Sequence, residues 1–142
     1  MIISPERHIQ LRLITSPRIA RLVGFSIFPI AVPREVEFPF VLFKRANVSR
    51  ESTLTTGPIF MPVLSLQFSC WALTYDEARE LADELRLELD GRTGTLANAT
   101  IQDIRLTSEV DDFLDPTAQG AQLPPAYEVR QLYHIRWQEA VG

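Results

Sequence analysis

The densest concentration of chemically capable side chains is the stretch "CWALTYDEARELADELRLELDG", Cys70 to Gly91. Asp76, Glu77, Glu80, Asp83, Glu84, Glu88 and Asp90 stand there against only Arg79 and Arg86, and the single cysteine lies just upstream. Paired carboxylates can divide general-acid and general-base work, and a thiolate beside a histidine is a nucleophile. The spacing points to a structural role instead. Thr74 with Glu77 forms a reciprocal capping box that satisfies two orphaned backbone donors. Tyr75, Ala78, Ala82, Leu85 and Leu89 recur at intervals of three and four, Leu81 widens the stripe, and Asp90-Gly91 closes it. The carboxylates fall off this stripe, on the solvated or subunit-facing side of an amphipathic helix. Asp76 and Glu77 suit the helix dipole in the first turn. Glu80 and Glu84 repel at i, i+4, offset in part by Arg79 with Asp83 and Asp83 with Arg86.

Cys70 ends "IFMPVLSLQFSCWA", the clearest period-2 segment of the chain. Leu64, Leu66, Phe68 and Cys70 share one face; Val63, Ser65, Gln67, Ser69 and Trp71 share the other. The first face is the core face, where a thiol is a small inert hydrophobe. Its only imidazole partners would be His8 or His134, neither accompanied by ligands at metal spacing. No glycine-rich phosphate loop, nucleophile elbow or zinc signature occurs. Trp71, Trp137, Tyr127 and Tyr133 could stack on bases, but aromatics on strands more often fill a core. Catalytic, cofactor-binding and metal-ligating residues are therefore expected to be absent.

These side chains must be positioned by the elements around them. Residues 4 to 24 read as a helix broken near Ser16, with Ile9, Leu13, Ile19, Leu22 and Val23 inward and Gly24 as its stop. "SIFPIAV" and "EFPFVLFKRAN" read as two short strands, with Pro29 and Pro39 at a strand start, bulge or edge. Val48 to Pro58 reads as a protruding loop between antiparallel strands, Arg50 and Glu51 at its charged tip. "NATIQDIRL", Asn98 to Leu106, reads as a short strand, and Thr107 to Ala126 as a long acidic loop containing Asp111 and Asp112. In the last strand, "YEVRQLYHIRWQ", Tyr127, Val129, Tyr133, Ile135 and Trp137 face one way, and Arg130, Leu132, His134 and Arg136 the other. The order predicts an α+β fold: a mainly antiparallel sheet, helices packed on one face, long inter-strand loops. The second sheet face would carry Ser65, Gln67, Ser69, Arg130, His134 and Arg136 among Leu132 and Trp71, a mixture common where subunits meet.

The 142 residues are most economically one domain, able to remove roughly two thirds of the unfolded surface from water. Apolar residues make up 46% and charged residues 23%, ordinary globular usage. The net charge of -4 argues against a protein whose main task is gripping phosphates. One cysteine precludes an internal disulfide and fits a reducing cytosol. No segment approaches the ~18 apolar residues of a membrane span, so the chain reads as soluble, unexported and without a membrane partner.

The order of segments resembles the tail terminator, or tail completion, proteins of tailed bacteriophages, from about Ile9 to Gln138. Its carriers are a helical N-terminus leading into "SIFPIAVP", then "EFPFVLFKR", a polar loop, and "LSLQFSCWA". "TYDEARELADELRLELDG" follows, and "VRQLYHIRW" comes after a "DDFLDP" loop. The resemblance implies an α+β ring protein of the virion, usually a hexamer, with no enzymatic activity and no cofactor. Such a ring caps the tail tube, ends its polymerisation and joins it to the head neck. Its implied partners are further copies of itself, the major tail tube protein and a head-tail connector, with DNA only passing through the channel. Made in the host cytoplasm, it would reside at the head-tail junction. The candidate interface residues are Arg50, Glu51, Ser65, Gln67, Ser69, Asp111, Asp112, Arg130, His134 and Arg136. Two other readings fit the same segments: a neck or head-completion protein, and a small ferredoxin-like ligand-binding or regulatory module with the mixed sheet face as its pocket.

Overall fold

The structure, a computed structural model, describes residues 5–30, 37–49, 52–53, 57–58, 62–96, 99–114 and 125–139. Two helices open it, α1 (Pro5–Thr15) and α2 (Pro17–Val23). Ser16 takes extended backbone angles between them, and Pro17, lacking an N–H, costs no helical hydrogen bond at the first turn. Gly24, at φ 60°, stops α2 in a conformation that a side chain would strain.

The strands are β1 (Ile27–Pro29), β2 (Phe40–Ser49), β3 (Ser52–Thr53), β4 (Gly57–Pro58), β5 (Val63–Ala72), β6 (Gly94–Leu96), β7 (Ala99–Leu114) and β8 (Ala126–Glu139). Helix α3 (Tyr75–Leu89) lies between β5 and β6. Six strands make one sheet in the order β1-β2-β5-β8-β7-β6, and β3 pairs with β4 separately. Among the described residues every pairing is antiparallel except β1 with β2, so the fold is α+β with a mixed, mostly antiparallel sheet. Pro29 ends the edge strand β1 and Pro39 precedes β2, where a missing donor breaks no ladder.

Side chains from the three helices and one sheet face share a single core. It includes Ile9, Leu13, Ile19 and Val23 from α1 and α2, Leu64, Leu66, Phe68 and Cys70 from β5, Ala78, Leu81, Ala82, Leu85 and Leu89 from α3, and Val129, Tyr133, Ile135 and Trp137 from β8. Leu22 packs against it half-buried. Thr74 Oγ1 accepts from the Glu77 N–H at 3.2 Å, the forward bond of the expected capping box. At the other end, Gly91 adopts φ 78° and its N–H donates to the Ile104 carbonyl at 2.7 Å, tying the helix stop to β7.

The expected Thr107–Ala126 loop is wrong over its first part. Thr107 to Leu114 continue β7, in register with β8 as far as Leu114 opposite Ala126. The ladder shifts register between Ile101 and Asp103 and again between Leu106 and Ser108. Each shift inserts one residue, so the positions on the core-side face run Ile101, Ile104, Leu106, Glu109, Asp111, Phe113. Their spacing is three, two, three, two, two, and no sustained period 2 survives for sequence reading to find. The remainder of that segment, 115–124, lies outside the described residues, as do Arg50 and Glu51.

Candidate interface on the open sheet face

Directly opposed residues of antiparallel neighbours point to the same face. The register therefore assembles the second face as rows across β2, β5, β8 and β7. Leu42, Ser69, Arg130 and Val110 form one row; Lys44, Gln67, Leu132 and Ser108 the next. Asn47, Ser65, His134 and Arg105 follow, then Ser49, Val63, Arg136 and Asp103. Six residues expected to share this face, Ser65, Gln67, Ser69, Arg130, His134 and Arg136, thus lie together. Asp112 joins them opposite Glu128. Asp111 does not: it sits on the core-side face, where its carboxylate accepts from the Tyr75 hydroxyl at 2.7 Å and lies 3.4 Å from Arg79 Nη1. Both aspartates belong to a strand, not a loop, and alternation sends them to opposite faces.

One corner of this face is partly closed. Phe40 lies opposite Trp71 yet is only 2% exposed, its ring 5.0 Å from Phe38 and 6.3 Å from Trp71. Beside it a concavity of about 240 Å³ is lined by Leu42, Lys44, Gln67, Ser69, Trp71, Glu128 and Arg130, among others. Burial raises the Glu128 carboxyl above its ordinary range, and nearby Asp112 adds to this; a Ser69 hydrogen bond and the charges of Arg130 and Lys44 work against it. Arg130 bridges the two acids, 3.4 Å from Glu128 and 3.3 Å from Asp112. Trp71 Nε1 is buried and donates to nothing among the described residues. A second concavity, about 570 Å³, opens at the far end between Val63, Gln102, Asp103, Arg105, His134 and Arg136. The face offers donors, acceptors and flat apolar surface, the components of recognition. It does not bring the thiol to an imidazole: Cys70 is enclosed in the core, whereas His134 points to the opposite side. No three His, Cys, Asp or Glu groups converge at metal distance among the described residues.

The carboxylates of α3 have partners that their own helix does not show. Glu88, Glu84 and Glu80 face Arg12, Arg18 and Arg21 of α1 and α2 at 3.5, 3.1 and 3.2 Å, and the Ser16 hydroxyl donates to Glu88 at 3.2 Å. Three of the outward carboxylates of the helix thus form an intrachain ladder that pins the N-terminal helices. Each such half-exposed pair is worth about 0.2–1 kcal/mol. Changing Glu80, Glu84 and Glu88 together to Gln is expected to cost about 1–2 kcal/mol at low salt and distinctly less in 1 M NaCl. Urea unfolding in both buffers checks this, and an equal loss in both would count against the ladder.

Sequence reading passed over one residue on the inward face of β8. Gln131 is 0% exposed, its Nε2 donating to Ala82 O at 2.8 Å and to Glu109 Oε2 at 2.9 Å, while its Oε1 accepts from the Tyr133 hydroxyl at 2.9 Å. Arg79 joins from α3, bonded to Glu109, Asp83 and Asp111. Burial opposes the Arg79 charge, but the hydrogen bonds and charges of Glu109 and Asp83 outweigh it and hold the guanidinium above its ordinary range. This cluster fastens the distal half of the β7–β8 hairpin to α3. The signal was Gln131's parity, between Val129 and Tyr133.

Comparison with curated protein sequences gives no match. Among solved structures, the fold is similar to a chain in the "Virion of native gene transfer agent (GTA) particle", with a TM-score of 0.70 and 16% identity over 92% of this chain and 91% of that one. At that identity the likeness is one of fold. A family model described as "Tail completion protein gp17" matches residues 7–122, most of the sequence. The chain belongs to the tail completion protein family.

Proposed function

We propose that this chain acts, as one domain, by forming a ring at the end of the tail tube. The ring, a hexamer, halts tube growth and presents its other side to the head neck. The carrying observation is the family match over residues 7–122, which makes the protein a structural component of the virion tail. The open sheet face is consistent with that work: it mixes polar and apolar groups and holds a buried indole donor without a partner among the described residues. A ring subunit stops a polymer by offering one face that matches the tube and another that does not, so its function lies in broad surfaces. Its partners on this reading are its own copies, the tail tube protein and a neck connector. DNA crosses the channel without being held, which the net charge of -4 favours.

The test adds purified protein to tail tube protein during polymerisation and measures tube lengths by electron microscopy. Rings at tube ends and an arrest of growth are the expected result. Tubes that lengthen as before, with protein bound along their sides or not at all, would overturn the proposal. Binding to the isolated head connector but not to tubes would favour the neck reading instead.

A further inference from the structure

Beyond Leu106, β7 has no backbone partner on its outer edge among the described residues. β6 pairs with β7 only between Ala99 and Ile101, and the turn after α3 covers Ile104 and Leu106 through Gly91 N–H and Asp90 Oδ1. The strand then runs on to Leu114 as the tip of the hairpin, where Arg79 of α3 holds Glu109 and Asp111 and Arg130 holds Asp112, while Val110, Asp111, Asp112 and Phe113 are exposed. Val110 is 48% and Phe113 53% exposed, large apolar surface for a tip that also carries three carboxylates. Phe113 packs on Tyr127 at 5.1 Å, which fixes the direction in which the tip presents it.

The opposite end of the same hairpin is complementary. The 570 Å³ concavity there holds Arg105, His134 and Arg136 around Val63. Arg105 is paired with Asp103 at 2.7 Å, but Arg136 and His134 are exposed and make no ion pair or side-chain hydrogen bond among the described residues. An acidic, apolar projection and a basic recess therefore sit on one subunit, about nine residues or roughly 30 Å apart along β7.

We infer that the acidic β7 tip of one copy docks in the Arg105–His134–Arg136 recess of the next, and that this contact closes the ring. The inference deepens the ring reading and rests on it. Two unlike patches on one chain make a head-to-tail contact, the type that generates rings, whereas tip against tip or recess against recess would oppose like charges. Docking would bury Phe113 and Val110 and would bring the Asp112 carboxylate, which Arg130 holds within its own subunit, to Arg136, which has no ion pair among the described residues.

Charge exchange tests it. One variant carries Arg105→Glu and Arg136→Glu; a second carries Val110→Lys and Asp112→Lys, positions on the open face that leave Glu109 and Asp111 bound to Arg79. Circular dichroism and melting temperature establish folding, and sedimentation reads assembly. Each variant alone is expected to associate at least about thirtyfold more weakly than wild type. Mixed in equal amounts, the two should reassemble, because each reversed patch then meets its reversed complement around an even-numbered ring. If the lysine pair does not fold, Phe113→Ser takes its place and is expected to weaken association without being rescued. Wild type that assembles while the glutamate variant assembles equally well, or a mixture that stays apart, overturns the contact and leaves the ring reading standing. Wild type that remains monomeric both alone and with tail tubes overturns both.

Discussion

Replacing Gln131 by leucine is expected to lower the unfolding free energy by about 2–3 kcal/mol, read as a shifted urea midpoint with unchanged slope. The two side chains are of similar size, so packing is little disturbed and the loss reports hydrogen bonds. Gln131 is fully buried, and its amide serves Ala82 O, Glu109 Oε2 and the Tyr133 hydroxyl. Ala82 lies within α3 and Glu109 keeps Arg79. Tyr133, 0% exposed, keeps no other hydrogen-bond partner among the described residues. Burial already lifts its phenol above the ordinary range. A buried hydroxyl without a partner costs more than a hydrogen bond contributes on average, because water cannot reach it.

That asymmetry supplies the control. Adding Tyr133→Phe to Gln131→Leu removes the stranded hydroxyl and is expected to restore about 1 kcal/mol or more, although Tyr133→Phe alone should weaken the protein. A double-mutant cycle isolates the term. Additive losses, or a Gln131→Leu variant within about 0.5 kcal/mol of wild type, would mean that the amide does not hold this hairpin to α3.

The contrast between β5 and β7 shows what a sequence can disclose about such a sheet. In β5 the alternation is unbroken, so Leu64, Leu66, Phe68 and Cys70 were readable as core and Ser65, Gln67 and Ser69 as the other face. The N-cap at Thr74 and the stripe of α3 were readable for the same reason: helix signals are local and repeat. In β7 two register shifts reset the phase, and the acidic residues after Leu106 suit a loop by composition. They become a strand because β8 supplies a backbone ladder, and because Arg79, Gln131 and Arg130 supply partners for Glu109, Asp111 and Asp112. Those partners are 18 to 32 positions away. The ladder from Arg12, Arg18 and Arg21 to α3 was invisible for a similar cause, since no local pattern announces a contact across some 60 to 76 residues. Of the candidate site, the strand-borne half was legible because parity alone places it.

Iodoacetamide should alkylate Cys70 in the folded protein at least about a thousandfold more slowly than in urea-unfolded chain, since reaction must wait for openings that cost several kcal/mol. Two effects combine. Cys70 is 0% exposed in the core shared by β5, β8 and α3, so reagent has no access. Burial also pushes the thiol well above its ordinary pKa, the negative charge of Glu109 adding to this and Arg79 opposing it, so almost no thiolate exists at neutral pH. The measurement is the mass-spectrometric rate of modification at pH 8 in increasing urea, which should follow the unfolding curve. A Gln131→Leu protein should label faster by the factor by which its stability falls, linking this readout to the hydrogen-bond experiment. Labelling of native protein at the rate of a free peptide would show an exposed, ionised thiol and would reopen a nucleophilic role for the lone cysteine. Protection in native conditions, with tube capping unaltered in Cys70→Ala, assigns Cys70 to packing alone. Of the acid cluster beside it, Glu80, Glu84 and Glu88 are held by the arginines of α1 and α2, and Asp83 by Arg79.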